Sequence, residues 1–101
     1  MRKYICNAFS LQMLKSFDVD IHIETIKQPS KQELQKLESF VGHEDIAAIV
    51  GVEYHRAPLT LEGDDELIIC QYVGGRLQVG TKELPEGARI DWARVTLSYK
   101  K

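Results

Sequence analysis

A chain of 101 residues, 44% apolar and 28% charged, is long enough for one compact domain and too short for two. The formal net charge of −2 leaves no basic excess for gripping long DNA or RNA, while a few arginines gathered in one pocket still suit a small anionic ligand. No apolar run approaches the roughly 20 residues of a membrane helix. The opening Met-Arg-Lys-Tyr-Ile-Cys enters a strand pattern with no small-residue cleavage site, so a cytoplasmic protein with no membrane partner is expected.

Lys3 to Asn7 reads as a strand, with Ala8 to Ser10 turning into a helix. Ser10 suits the N-cap of Leu11 to Ser16, whose Leu11 and Leu14 face a core that Phe17 closes. Val19 to Ile26 alternates Val19, Ile21 and Ile23 against Asp20, His22 and Glu24, the pattern of a half-buried strand. After Pro29, Ser30-Lys-Gln-Glu33 forms a capping box for a helix through about Phe40, with Leu34, Leu37 and Val41 at helical spacing. Gly42 interrupts, and a second short helix runs from near His43 to a stop at Gly51.

The second half reads as sheet. Leu59 to Leu61 and Leu67 to Tyr72 are joined across Gly63-Asp-Asp as a hairpin. Gly74-Gly75 ends the second of these strands, Arg76 to Gly87 is a loop, and Ile90 to Tyr99 is a further strand. The expected fold class is α+β: a single mixed sheet of about five strands with two or three short helices packed on it, spanning residues 1–101 as one domain.

Candidate chemistry is sparse. Cys6 and Cys70 lie in apolar strand patterns outside any Cys-x-x-Cys pair, and His22 and His55 have no partners at zinc-ligand spacing, so no metal is expected. Neither a Gly-x-x-x-x-Gly-Lys loop nor a Gly-x-Gly-x-x-Gly turn is present, which disfavours ordinary triphosphate or dinucleotide binding. Asn7-Ala-Phe-Ser10 places donors at a strand–helix junction that suits a phosphate, against the plainer reading of a helix cap and a turn. Gly42-His43-Glu44-Asp45 offers an imidazole at a helix start, a proton donor near neutral pH or simply a surface histidine. Gln71 and Arg76 flank the Gly74-Gly75 bend, and Arg56 follows His55; either guanidinium is a phosphate clamp or a solvated side chain.

These features occur together, and in this order, in a known family. The sequence resembles the viral ring nucleases that act as type III anti-CRISPR proteins, and their bacterial relatives, over nearly its whole length. The resemblance is carried by Tyr4-Ile-Cys-Asn-Ala-Phe-Ser-Leu-Gln-Met-Leu14, Val41-Gly-His-Glu-Asp-Ile46, Gln71-Tyr-Val-Gly-Gly-Arg-Leu77 and Leu84-Pro-Glu-Gly-Ala-Arg-Ile90. It implies a homodimer that encloses cyclic tetra-adenylate and cuts it without metal or other cofactor. It further implies His43 as general acid, Arg76 as the transition-state cation, and Asn7, Ser10, Arg56 and Gln71 as ligand-binding groups. The family pattern places a glutamate three residues after the arginine, in support of the histidine. That position is Val79 here, and Glu86 or Glu83 of the same loop is the candidate replacement. Two other classes of function compete with a nuclease: a dimer that sequesters the ring with little turnover, and a protein–protein module docking through the Val19 to Ile26 strand.

Overall fold

The computed structural model describes all of residues 1–101. One five-stranded mixed sheet organises the chain, in the order β2-β5-β4-β1-β3. Its strands are β1 (Lys3–Cys6), β2 (Val19–Thr25), β3 (Glu38–Ser39), β4 (Glu66–Val73) and β5 (Arg89–Tyr99), with helices α1 (Lys31–Gln35) and α2 (Glu44–Val50). The α+β class, the single mixed sheet, the strand number and the short helices are as the sequence indicates. No helix is long and apolar enough to cross a membrane.

β1 is parallel to both β3 and β4, whereas β5 pairs antiparallel with β4 and with β2. Because successive side chains point to opposite faces, each strand feeds two cores. Tyr4, Cys6, Leu67, Ile69, Val95 and Leu97 lie on one face under Leu59 and Leu61. Ile5, Ile68, Cys70 and Trp92 lie on the other, under Leu34 of α1, Val41, and Ile46 and Ala47 of α2.

Four local readings change. The segment after Ser10 makes only a 3-10 turn, Leu11–Met13, and Leu11 and Phe17 are exposed. Its backbone is bonded elsewhere: Met13 O accepts from Leu61 N at 2.8 Å, and Lys15 N donates to the Tyr99 hydroxyl at 2.9 Å. The helix opened by the Ser30–Glu33 capping box is present but stops at Gln35. Phe40 packs with the Tyr4 core while Leu37 and Val41 pack with the Ile5 core. Positions three apart on a helix share a face, so Leu37 and Phe40 cannot serve opposite sides of a sheet from one helix. The chain goes extended instead, and Glu38–Ser39 pairs with Tyr4–Ile5.

Leu59 and Leu61 are buried with Thr60 exposed, as alternation requires, yet they form no strand. They lie across the sheet face rather than along its edge. The Gly63 turn is therefore not a hairpin. Buried Asp65 closes it, accepting from Glu62 N at 2.7 Å and from Arg2 N at 3.2 Å. The observed hairpin joins β4 to β5 across the loop beginning at Gly74.

β2 is less buried than its alternation indicates: only Val19 is partly covered, and Ile21 and Ile23 are exposed, Ile23 at 59%. Leu59 and Leu61 cover this face over β1, β4 and β5 and leave the β2 edge open.

Both cysteines are unpaired and buried, and burial raises the Cys70 thiol from 9.0 to about 12. A raised folded-state value is a stabilising contribution present in full below pH 9 and lost as pH rises toward 12. Thiolate is the reactive form. Iodoacetamide at pH 8 should therefore leave Cys70 unmodified in the folded protein and alkylate it in urea, as peptide mass mapping would read. Rapid labelling of the native chain at Cys70 would contradict the burial.

Candidate functional site

β1, β3 and β4 are neighbours running in one direction, so their C-terminal ends share one end of the sheet. Such ends are where open sheets with parallel strands place ligands, because the loops that leave them are free to diverge around a crevice. Asn7 follows β1, Gly42 and His43 follow β3, and Gly74 to Arg76 follow β4. A cavity of about 840 Å³ opens there, lined by Asn7, His43, Gln71 and Arg76 among others. Its floor is the end of this sheet face, where Gln71 of β4 and Ile23 of β2 are exposed, Ala93 of β5 is half-buried, and Ile69 and Val95 are buried.

The first wall is stitched across strands. Asn7 Oδ1 accepts from Gly42 N at 3.1 Å, and Cys6 Sγ donates to Phe40 O at 3.2 Å. With its carbonyl oxygen engaged, Asn7 keeps its amide N–H groups as the donors available to a ligand. The Arg56 stem lies beside Gly42, its Cγ 3.5 Å from where a Cβ would stand, an ordinary van der Waals contact.

His43 is the N-cap of α2. Its backbone is extended (φ −127°, ψ 116°), and its Nδ1 accepts from Ile46 N at 3.3 Å. Histidine here takes the part usually played by Ser, Asp or Asn. The contact fixes the tautomer: a neutral ring accepting at Nδ1 carries its proton on Nε2. The nitrogen left for a ligand is thus a donor. Ile46 and Ala47, buried one turn later, anchor the helix on the sheet.

The opposite wall is the loop after β4. The Tyr72 hydroxyl donates to Gly75 O at 2.7 Å and folds the chain back. Gly74 sits in the bend because a Cβ there would lie 2.8 Å from both Ala88 Cβ and Tyr72 Oη. Arg76 comes next, exposed, and has no carboxylate partner within salt-bridge distance. Gln78 to Thr81 then closes a turn in which Thr81 N donates to Gln78 O at 3.1 Å, with Gly80 at φ +88°. A positive φ at the third residue is what a type II turn demands of glycine. Gly80 N donates to Asp45 Oδ1 at 3.1 Å, joining this loop to the first turn of α2.

Four of the sequence candidates, His43, Arg76, Asn7 and Gln71, therefore line one hollow although they are spread over 70 positions of the chain. Three do not line it. Ser10 caps its own short turn, with Oγ accepting from Gln12 N at 3.2 Å, so the plainer reading of that residue is the observed one. Arg56 stands behind Gly42 and is exposed. Glu86, like Glu83, is exposed on the far part of the loop and lines no wall of the cavity, while Val79 is fully exposed at its rim. The cavity also includes Asp45, Tyr72 and Ile23, which no sequence pattern marks as site residues. Asp45 belongs to Gly42-His43-Glu44-Asp45, but its partner is a backbone N–H 35 residues away and leaves no mark on composition.

The charged groups of the lining are Arg76, His43 when protonated, and Asp45, whose carboxylate is held by the Gly80 N–H. Against an apolar floor, this arrangement offers donors and one permanent cation to an anion, with room for a sizeable small molecule. No group of three or more His, Cys, Asp or Glu side chains is placed to hold a metal ion.

No protein-family model and no curated protein matches the sequence. In three dimensions the chain is similar to B116 of Sulfolobus turreted icosahedral virus, with a TM-score of 0.71 over 95% of this chain and 99% of that one. The two are 22% identical, and the likeness is one of fold.

The two glycines of the bend give a paired test. Gly74→Ala forces a methyl against Tyr72 and Ala88, whereas a Cβ at Gly75 meets nothing within 4 Å. Urea unfolding should show Gly74→Ala destabilised by about 1–3 kcal/mol, the usual penalty of overpacking, with Gly75→Ala close to the parent. Equal midpoints for the two variants would contradict the described bend.

Proposed function

We propose that two copies of this protein enclose cyclic tetra-adenylate and cleave it without a metal ion, which would switch off type III CRISPR signalling. The observation that carries the reading is the convergence of His43, Arg76, Asn7 and Gln71 on one cavity, the same residues that the family resemblance singles out. The fold likeness to a protein of a Sulfolobus virus fits a family with viral members.

The reaction asks little of the protein beyond positioning. A ribose 2′-hydroxyl of the ring attacks the adjacent phosphorus as the bond from phosphorus to the 5′-oxygen breaks. The 2′-hydroxyl proton leaves to solvent, His43 delivers a proton to the departing 5′-oxygen, and the product is a linear adenylate ending in a 2′,3′-cyclic phosphate. Holding nucleophile, phosphorus and leaving group in line removes much of the barrier. As the acid, His43 is imidazolium: both ring nitrogens then carry protons, the cap contact at Nδ1 is given up, and delivery of one proton returns the neutral ring that can cap again. Arg76, unpaired in the free protein, neutralises the charge that builds on the non-bridging oxygens.

Asn7 and Gln71 are assigned to binding. Arg56 and Ser10 stand outside the lining of one subunit's cavity, and their part is at most peripheral. The exposed apolar row ending in Ile23 supports a homodimer, since a second copy would complete the hollow and cover that row.

One observation favours slow turnover. Neither Glu83 nor Glu86 reaches the cavity, and Val79 stands where the family has its glutamate, so no carboxylate from this loop assists His43. Sequestration with occasional cleavage is the second reading.

Labelled cyclic tetra-adenylate incubated with the protein in EDTA should yield linear product ending in a cyclic phosphate. His43→Asn keeps a good N-cap and removes the acid, and should lower the single-turnover rate about 10²–10⁴-fold while binding persists. Arg76→Ala should lose about 10²–10³-fold. Tight binding with no product assigns the protein to sequestration, and neither binding nor product defeats both readings.

A further inference from the structure

Arg76 lies between two anchors. On one side, the Tyr72 hydroxyl holds Gly75 O. On the other, Leu77 packs against the core beneath α2, and the Gln78 to Thr81 turn presents the Gly80 N–H to Asp45. Asp45 is two residues from His43 and on the same first turn of α2. The path from imidazole to guanidinium therefore crosses a single side-chain hydrogen bond, Asp45 Oδ1 to Gly80 N, at 3.1 Å. A carboxylate is otherwise a poor lining for an anion site, since it repels the ligand. The interaction explains its presence.

We infer that Asp45 is a positioning residue that latches the Arg76 loop to the helix of His43, so that the two catalytic groups keep a fixed separation across the cavity. The inference rests on the proposed nuclease reading for its kinetic consequence, and on the geometry alone for the latch. The role belongs to an acceptor oxygen at this point and not to its charge. Asparagine supplies the same oxygen, and alanine supplies none.

The test compares Asp45→Ala, Asp45→Asn and the parent. In single-turnover cleavage of cyclic tetra-adenylate, Asp45→Ala should slow about 10²-fold, the usual cost of a small misplacement, while Asp45→Asn stays within about threefold of the parent. Glu44→Ala, which removes a charge from the same helix turn outside the cavity lining, should cleave at the parental rate and so excludes a general effect of charge at the helix start. In parallel, hydrogen exchange of the Gly80 amide, followed by NMR on the unliganded protein, should be slow in the parent and in Asp45→Asn and fast in Asp45→Ala. Parental cleavage by Asp45→Ala, or equal loss in Asp45→Asn and Asp45→Ala, overturns the inference. So does a Gly80 amide that exchanges alike in all three. If the parent itself does not cleave the ring, the nuclease reading fails, and the exchange result alone decides whether the latch exists.

Discussion

The arrangement of the cavity depends on β1 being hydrogen-bonded along both of its edges to strands that run its own way. Tyr4 and Ile5 pair with Glu38 and Ser39 on one side and with Leu67 and Ile68 on the other. Parallel pairing makes three chain segments, far apart in sequence, emerge side by side. Each emerging segment carries a short polar stretch, and the Asn7 to Gly42 bond fixes two of them before any ligand is considered. The apolar rows inside the sheet thus determine which polar groups meet.

The two sheet faces divide the work. One is sealed by α1, α2 and Leu77 and supplies rigid support beneath the helix that presents His43. The other is sealed over β1, β4 and β5 by Leu59, Leu61 and the 3-10 turn, and its β2 edge is left open. The Tyr99 hydroxyl secures that cover, donating to Leu61 O while accepting from Lys15 N. Where that face meets the cavity, Gln71 and Ile23 are exposed.

Much of this was legible in the sequence, for identifiable reasons. The strand readings at Lys3 to Asn7, Val19 to Ile26, Leu67 to Tyr72 and Ile90 to Tyr99 appear as strands within a residue or two, Val19 to Ile26 by alternation and Leu67 to Tyr72 as an apolar run buried on both faces. The Ser30–Glu33 capping box is local chemistry and is present as read. What failed was inference about partners. Leu59 and Leu61 alternate because one side is buried, and alternation is silent on whether a strand neighbour or a sheet face does the burying. Leu34, Leu37 and Val41 fit a helical period, but Phe40 between them serves the opposite face. At the site, residue type was enough to select His43, Arg76, Asn7 and Gln71. It could not reveal Asp45, whose partner is an anonymous backbone N–H, nor exclude Glu86, whose distance from the cavity is set by the course of a loop.

The strand order also governs how the fold can be assembled. β5 comes last in chain order, yet it sits between β4 and β2 and is the only neighbour β2 has. During synthesis β2 must wait, unpaired, while some sixty further residues are made, carrying its isoleucines without a partner strand. Sheets closed by such distant segments form slowly, because the intervening loop is ordered before the contact that rewards it exists. For this protein the vulnerable interval is the one before β5 docks, when β2 has two free edges available to any extended chain nearby.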